Sequence, residues 1–518
     1  MKKILTSLVS ATMLLSMNAT LAHAQNISLG ANVNADATSP SGYTVTFNYD
    51  TSDDTKWTDQ SKIKVTGSFD YYKAGTTSPV YTPEQYENGM NPANTGKYSK
   101  EMVDEDGDKI YSTSFPITSG AFQYSYVLDY DGDFNTQEDQ VTIADPHNLS
   151  RFNSAQSTYE TSCLNTSVVY GKYDAVKQSQ SHDYSFVLPA TQNKGSVDYV
   201  NYTGNLTNKD LTDVEVYDKT SKTHQNLGVY LPNGYDAQRQ EPYKVIYLSH
   251  GGGGNEVDWF SYGHVDNIMD NLINNGQTET AIVVTVSNMD YRLNEIGTIW
   301  NFDLIRENVM NYVIPYVESH YNVSKDAQDR AFAGLSMGSL TTSQMWLKNC
   351  DSFGYFGAFS GAYLFTDMYR TNPSEDLQQL TTKTFDQLNQ PQLLVAGGYT
   401  DIALGTMGEF GNGRSTGSLD YLLKKYNFTN YKSEVVDGAH DWFTWSQLFK
   451  EFASEIVWTN EKKVIEDDKK ENVTESPKTE DNKVSAVKTG DQSALELMAM
   501  LSLLSAGAFV GIKKYKNI

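Results

Sequence analysis

The stretch Arg330-Ala331-Phe332-Ala333-Gly334-Leu335-Ser336-Met337-Gly338-Ser339-Leu340-Thr341-Thr342-Ser343-Gln344-Met345 decides the fold. Its first part is a short apolar run suited to a buried strand, its last part can be helical, and Gly-x-Ser-x-Gly stands between them. Glycines on both sides of Ser336 permit a sharp, strained strand-to-helix turn that holds the hydroxyl exposed beside a base. The five-residue pattern is not selective by itself, because Gly413-Arg414-Ser415-Thr416-Gly417 also satisfies it. That second match follows Gly408-Glu409-Phe410-Gly411-Asn412 rather than an apolar strand, and it reads as a loop. Ser336 is therefore the candidate nucleophile.

Outward from this turn, apolar strands are expected at 244–248, 281–286, 330–334 and 392–396, each followed by a helix. That alternation begins at Gly195 and predicts a doubly wound α/β domain with a mostly parallel sheet over 195–458. The segment 308–321 predicts a helix with Val309, Tyr312, Val313, Tyr316 and Val317 on one face, explained by core packing alone.

A serine nucleophile needs a base whose pKa lies near working pH, which points to histidine. His440, in Gly438-Ala439-His440-Asp441-Trp442, is the only histidine after Ser336 and follows the strand-like Ser433-Glu434-Val435-Val436. Asp401 is the candidate acid, because it follows the apolar run Leu393-Leu394-Val395-Ala396 and the turn Gly397-Gly398-Tyr399-Thr400, at the end of a strand. Asp437 and Asp441 are rivals by proximity, but they stand too close to His440 in sequence to reach the far side of its ring easily. The oxyanion formed on attack needs backbone N–H donors, and Met337, the residue after the nucleophile, supplies one. Gly252 in His250-Gly251-Gly252-Gly253-Gly254 is expected to supply the other, with Gly251 as the alternative. The glycine run lacks the Gly-Lys-Ser or Gly-Lys-Thr of a phosphate-cradling loop. No metal or other cofactor is required by this chemistry.

The three motifs His250-Gly251-Gly252-Gly253-Gly254-Asn255-Glu256-Val257-Asp258-Trp259, Gly334-Leu335-Ser336-Met337-Gly338 and Gly438-Ala439-His440-Asp441-Trp442 closely resemble the esterase D family of α/β-hydrolases. Within it the likeness is to feruloyl and acetyl xylan esterases. The resemblance covers about 195–458 and implies an α/β-hydrolase catalytic domain with Ser336, Asp401 and His440 as the triad and Gly252 and Met337 as oxyanion donors. The Gly- and Met-rich region from Thr400 to Gly417 departs from that pattern.

Ahead of this domain, alternating segments such as 43–49, 62–67 and 122–128, separated by Gly, Asp and Pro turns, predict an all-β sandwich over 25–150. Val65-Thr66-Gly67-Ser68-Phe69 and Ala144-Asp145-Pro146-His147-Asn148 resemble the immunoglobulin-like early-set domain that precedes many carbohydrate-active catalytic domains. Residues 151–194 are expected to connect the two domains. The acidic runs 104–108 and 129–135 invite a calcium reading, but neither has the EF-hand spacing, and Asp-Gly is an ordinary turn. Cys163 and Cys350 are the only cysteines, so there is neither a disulfide framework nor a thiolate metal site.

The two ends predict export. Met1-Lys2-Lys3, an apolar run from Leu5 to Met17 and Ala22-His23-Ala24 form a signal peptide over 1–24. Residues 459–486 are a charged stalk without aromatic residues. Val487-Lys488-Thr489-Gly490-Asp491, the apolar run 497–512 and Lys513-Lys514-Tyr515-Lys516 resemble a Gram-positive sorting signal, with Ala486-Val487 where that signal has Leu-Pro. The resemblance implies sortase and peptidoglycan as partners, the alternative for 487–518 being a plain membrane anchor. A formal net charge of −24 argues against nucleic acid and anionic lipid.

These features together predict a surface-displayed serine esterase acting on polysaccharide-linked esters of plant cell walls, feruloyl or acetyl groups on xylan. The alternatives are an acyltransferase using the same triad and a non-catalytic surface protein that binds carbohydrate.

Overall fold

The computed structural model describes residues 27–93, 95–148, 166–205, 225–288, 291, 300–361, 377–411 and 416–459. The expected signal peptide, the stalk beyond Thr459 and the sorting signal lie outside them, as do Cys163 and most of the second Gly-x-Ser-x-Gly match. Among the described residues no helix is long and apolar enough to cross a membrane. The chain divides into two compact units, one of Met1–Tyr71, Tyr81–Asn88 and Thr95–Gln180, the other of Tyr72–Val80, Gly89–Asn94 and Ser181–Ile518.

The first unit has two antiparallel sheets. One orders Gly30–Ala35, Tyr43–Asp50 and Ile110–Pro116; the other orders Ser167–Gly171, Gly120–Asp129, Lys62–Gly67 and Tyr98–Met102, with Gln140–Ile143 also on Gly120–Asp129. Alternation buries Val45 and Phe47 on one sheet and Val65, Phe122, Tyr124 and Tyr126 on the other. Phe47 joins the sheets edge-on, 4.9 Å from Tyr124 and 5.7 Å from Phe69 between ring centroids. Asp145 is fully buried, and its Oδ2 accepts from the hydroxyls of Tyr124 at 2.7 Å and Tyr126 at 3.1 Å. The expected connection 151–194 needs correcting. Its residues Ser167–Gly171 pair in register with Gly120–Asp129, because Val169 has a buried apolar face to complete, and its later residues join the second unit.

The second unit is built on an eight-stranded sheet: β1 Ser196–Asn201, β2 Asn226–Leu231, β3 Lys244–Ser249, β4 Ala281–Val286, β5 Arg330–Leu335, β6 Tyr355–Phe359, β7 Gln392–Gly398 and β8 Tyr431–Val436. Their order is β1-β2-β4-β3-β5-β6-β7-β8. β1 and β2, and β2 and β4, pair antiparallel; the remaining pairs are parallel. β4 and β5 are buried along their whole length, as near-continuous apolar strands covered on both faces must be. The strands β5, β7 and β8 each deliver one candidate catalytic residue from their C-terminal ends, where ligands bind in open α/β sheets.

The expected helix at 308–321 is interrupted. Phe302–Asn308 is α-helical, Val309–Val313 forms a π-helical turn, and Ile314–His320 is α-helical again. The wider turn shifts the phase, so Val309, Val313, Ile314 and Val317 are buried while Tyr312, expected on that face, is exposed.

Three asparagines of α1, Val265–Asn274, hold the chain entering this unit. Asn267 Nδ2 donates to the Val187 carbonyl at 2.9 Å, and Asn271 Nδ2 to those of Phe186 at 3.0 Å and Leu188 at 2.8 Å. Asn274 Nδ2 reaches the Gln192 carbonyl at 3.2 Å. Asn271→Ala leaves two part-buried carbonyls without that donor and is expected to cost about 1–3 kcal/mol. Urea unfolding checks this, and a midpoint equal to the parent's would refute it.

Candidate active site

Ser336 ends β5 at φ +50° and ψ −116° and opens α2, Met337–Asn349. A non-glycine residue there stores strain of order 1–3 kcal/mol, and the neighbours show what over-determines it. A Cβ on Gly334 would stand 2.3 Å from the Gly338 carbonyl oxygen, and one on Gly338 would stand 2.3 Å and 2.5 Å from those of Ser249 and His250. Only glycine at both positions lets the helix start this close to β3. The Ser336 N–H donates to the Phe359 carbonyl at 2.8 Å, tying the turn to the end of β6.

His440 Nε2 lies 3.0 Å from Ser336 Oγ, and its Nδ1 lies 2.9 Å from Asp401 Oδ1. The carboxylate accepts, so Nδ1 carries the proton and Nε2 presents a lone pair to the hydroxyl. Asp401 has no solvent-exposed side-chain surface. Its Oδ1 also accepts from the Ala403 N–H at 2.8 Å, and its Oδ2 bonds the Ser360 hydroxyl. The rivals are occupied elsewhere. Asp437 meets His182 and Asn91, and Asp441 caps α3, Trp442–Glu451, by accepting from the Thr444 N–H at 2.9 Å.

Burial works against charge on His440, but the Asp401 carboxylate, its hydrogen bond and the charge of Asp441 outweigh it, so the imidazole titrates above 6.5. The base must be neutral to accept the serine proton. Activity is therefore expected to rise with pH through an inflection above 6.5, and a kcat/KM profile already flat at pH 5 would contradict it. For stability the sign is opposite: the raised folded-state pKa favours the folded chain fully below about 6.5, and that contribution is lost as pH rises through the folded value.

The loop after β3 is organised by His250, a residue the sequence reading did not assign. It is fully buried; Nε2 accepts from the Asn288 N–H at 2.8 Å and Nδ1 lies 2.7 Å from the Gly251 carbonyl. Burial drives this histidine down to about 4, only partly offset by the bond to Gly251, so the ring is neutral and Nδ1–H donates. Gly251, the alternative oxyanion donor, is the glycine brought against the nucleophile: a Cβ there would stand 2.7 Å from Leu335 Cδ1 and 3.3 Å from Ser336 Cβ. Gly252 follows it and is exposed. Met337 is the first residue of α2, where N–H groups have no partner within the helix. Beyond the glycines, burial pushes Glu256 and Asp258 up to about 7.

Residues 219–455 match the family described as "Putative esterase". They contain Gly334-Leu335-Ser336-Met337-Gly338, Asp401, His440 and the glycine loop. Two curated relatives share parts of it. An endo-1,4-beta-xylanase/feruloyl esterase of Xylanibacter ruminicola is 33% identical over 169 residues, 32% of this chain and 23% of that protein. Endo-1,4-beta-xylanase Y of Acetivibrio thermocellus is 38% identical over 151 residues, 27% of this chain and 13% of that one. The chain thus spans less than a quarter of the length of either relative. Among solved structures, the feruloyl esterase module from Clostridium thermocellum aligns at TM-score 0.39 and 25% identity, covering 53% of this chain and 90% of that one.

Ser360 escaped the sequence reading, although it follows an apolar strand and takes φ +54°. The acidic run 104–108 brings carboxylate oxygens of Asp104, Asp106 and Asp108 within 4.8 Å of one another in the first unit, and Asp104 also accepts from the Gly107 and Lys109 N–H groups.

Proposed function

We propose that this chain is an exported serine esterase that removes acyl groups, feruloyl or acetyl, from xylan-type polysaccharide. The observation that carries the reading is the pair of contacts on one imidazole, 3.0 Å to Ser336 Oγ and 2.9 Å to Asp401 Oδ1. Ser336 Oγ attacks the ester carbonyl carbon as its proton passes to His440 Nε2, and the carbonyl oxygen becomes an oxyanion facing the Met337 N–H and the 251–252 loop. Collapse expels the sugar oxygen, which takes the proton from His440 and leaves the acyl group on Ser336. Water then gives its proton to the same nitrogen and attacks, and the second collapse returns the proton to Ser336 and frees the acid. Asp401 keeps its charge throughout and holds the imidazole.

The names of the two curated relatives support xylan as the polymer. The apolar leader and the sorting-type C-terminus support display at a Gram-positive cell surface, with sortase and peptidoglycan as partners, and the sandwich is proposed as an early-set module. The test is to assay the full chain on methyl ferulate, 4-nitrophenyl acetate and acetylated xylan, measuring the acid released. Turnover of at least one ester, with ferulate or acetate as product, is expected. A folded chain inert on all three would overturn the reading.

A further inference from the structure

The loop that carries His440 is gripped on both flanks by side chains outside residues 219–455. Before the histidine, Asp437 Oδ2 lies 2.9 Å from His182 Nε2, and Asp437 Oδ1 accepts from Asn91 Nδ2 at 3.0 Å. After it, Asp441 Oδ2 accepts from the Tyr72 hydroxyl at 3.3 Å while Oδ1 caps α3. His182, Asn91 and Tyr72 are each no more than 3% exposed. All three belong to the same compact unit as the esterase domain, brought to it by Tyr72–Val80, Gly89–Asn94 and the start of Ser181–Ile518.

Between the two anchors the backbone is held through the carbonyls of Asp437 and Gly438. Gly438 sits at φ +146°, and its carbonyl accepts from the Thr400 N–H at 2.9 Å and hydroxyl at 3.0 Å. The Asp437 carbonyl accepts from Gln447 Nε2 at 3.0 Å. The ring touches Asp401 and Ser336 at hydrogen-bond range and meets Trp445 only edge-on, 5.1 Å between centroids. The bonds to Asp437 and Gly438 fix carbonyls before the ring, and the side chains of residues 437 and 441 add a directed hold on each flank of it. The bond to His182 leads in holding the Asp437 carboxyl below the usual range against burial, so this anchor is a charged, directed one.

We propose that His182, Asn91 and Tyr72 are positioning residues for the reaction: by fixing the carboxylates of Asp437 and Asp441 they keep the His440 imidazole in line between Asp401 and Ser336. This rests on Ser336 and His440 being nucleophile and base. The reacting atoms never meet these three side chains, so their loss slows the chemical step and leaves binding of a small ester unchanged. A misplacement of about 1 Å is worth on the order of 100-fold in rate.

The test uses the full chain and compares His182→Ala, Asn91→Ala and His182→Gln, whose amide N–H can reach Asp437 as Nε2–H does. Near-ultraviolet circular dichroism and thermal unfolding confirm the fold. The readouts are kcat and KM for 4-nitrophenyl acetate and the rate at which a fluorophosphonate ester phosphonylates Ser336, with fluoride leaving. In both alanine variants kcat is expected to fall about 10- to 100-fold with KM nearly constant, phosphonylation falling in step. His182→Gln is expected to recover most of both. Parental kcat in the folded alanine variants overturns the proposal, as does a folded His182→Gln no faster than His182→Ala. Should the alanine variants not fold, Tyr72→Phe removes a single hydroxyl; a severalfold lower kcat at constant KM is expected, and parental kcat overturns the proposal. A chain that is phosphonylated at Ser336 yet cleaves no ester sinks the hydrolase reading alone, because phosphonylation still reports on the Ser336–His440 pair.

Discussion

Ser336→Ala is expected to lower kcat about 10⁶-fold while KM and thermal stability change little. On the proposed mechanism the oxygen removed is the atom that bonds the acyl carbon, and it is this hydroxyl that His440 Nε2 meets at 3.0 Å. The pair of His440 and Asp401 survives the change, but it then has no nucleophile except water. Removing the imidazole as well is expected to add little, since nucleophile and base act as one unit and their effects do not sum. Steady-state assays on 4-nitrophenyl acetate, with active-site titration to exclude traces of parental enzyme, measure the loss. Turnover within tenfold of the parent would end the assignment of Ser336 as nucleophile.

Asp401→Asn is the second large effect, a loss in kcat of about 10⁴-fold. The substitution keeps the shape, and an amide oxygen in the place of Oδ2 still accepts from the Ser360 hydroxyl. The amide nitrogen would then face His440 Nδ1 as a donor, and the imidazole can answer only by moving its proton to Nε2. A protonated Nε2 cannot take the proton of Ser336. Asp441→Asn provides the contrast: its Oδ1 keeps the cap on Thr444, it does not touch the His440 ring, and the loss is expected to be far smaller. Equal losses in the two variants would remove Asp401 from its special role.

What the sequence revealed follows from where the physics is local. The strands at 244–248, 281–286, 330–334 and 392–396 were legible because buried parallel strands are unbroken apolar runs, and observed β3, β4, β5 and β7 start at the expected residues. The edge strand β1 was not, because half of Ser196–Asn201 faces outward and its apolar content is diluted. On the 308–321 helix Val309, Val313 and Val317 lie on the expected core face but Tyr312 does not, since one π-helical turn resets the phase and periodicity assumes a constant one. At the site, glycines with a structural duty stood out: Gly334 and Gly338 flank a residue that cannot turn without them. His182, Asn91 and Tyr72 were invisible because their partners lie 255, 346 and 369 residues away, and no spacing rule reaches that far. The bond from the Asn288 N–H to His250 Nε2, 38 residues apart, was out of reach for the same reason.

The unit that carries Ser336 and His440 is drawn from three stretches, two of which, Tyr72–Val80 and Gly89–Asn94, are interleaved with the sequence of the other unit. Such a chain has no cut point at which the front domain lifts off as a cassette. An exchange of modules at position 150 or 195 would carry Tyr72 and Asn91 away with the discarded part, leaving Asp437 and Asp441 to find substitutes. An exchange of modules is expected to preserve these contacts only when both units are traded together. On the proposed positioning role, a shortened chain that keeps the full rate is expected to start upstream of Tyr72, not at the first residue of the α/β sheet.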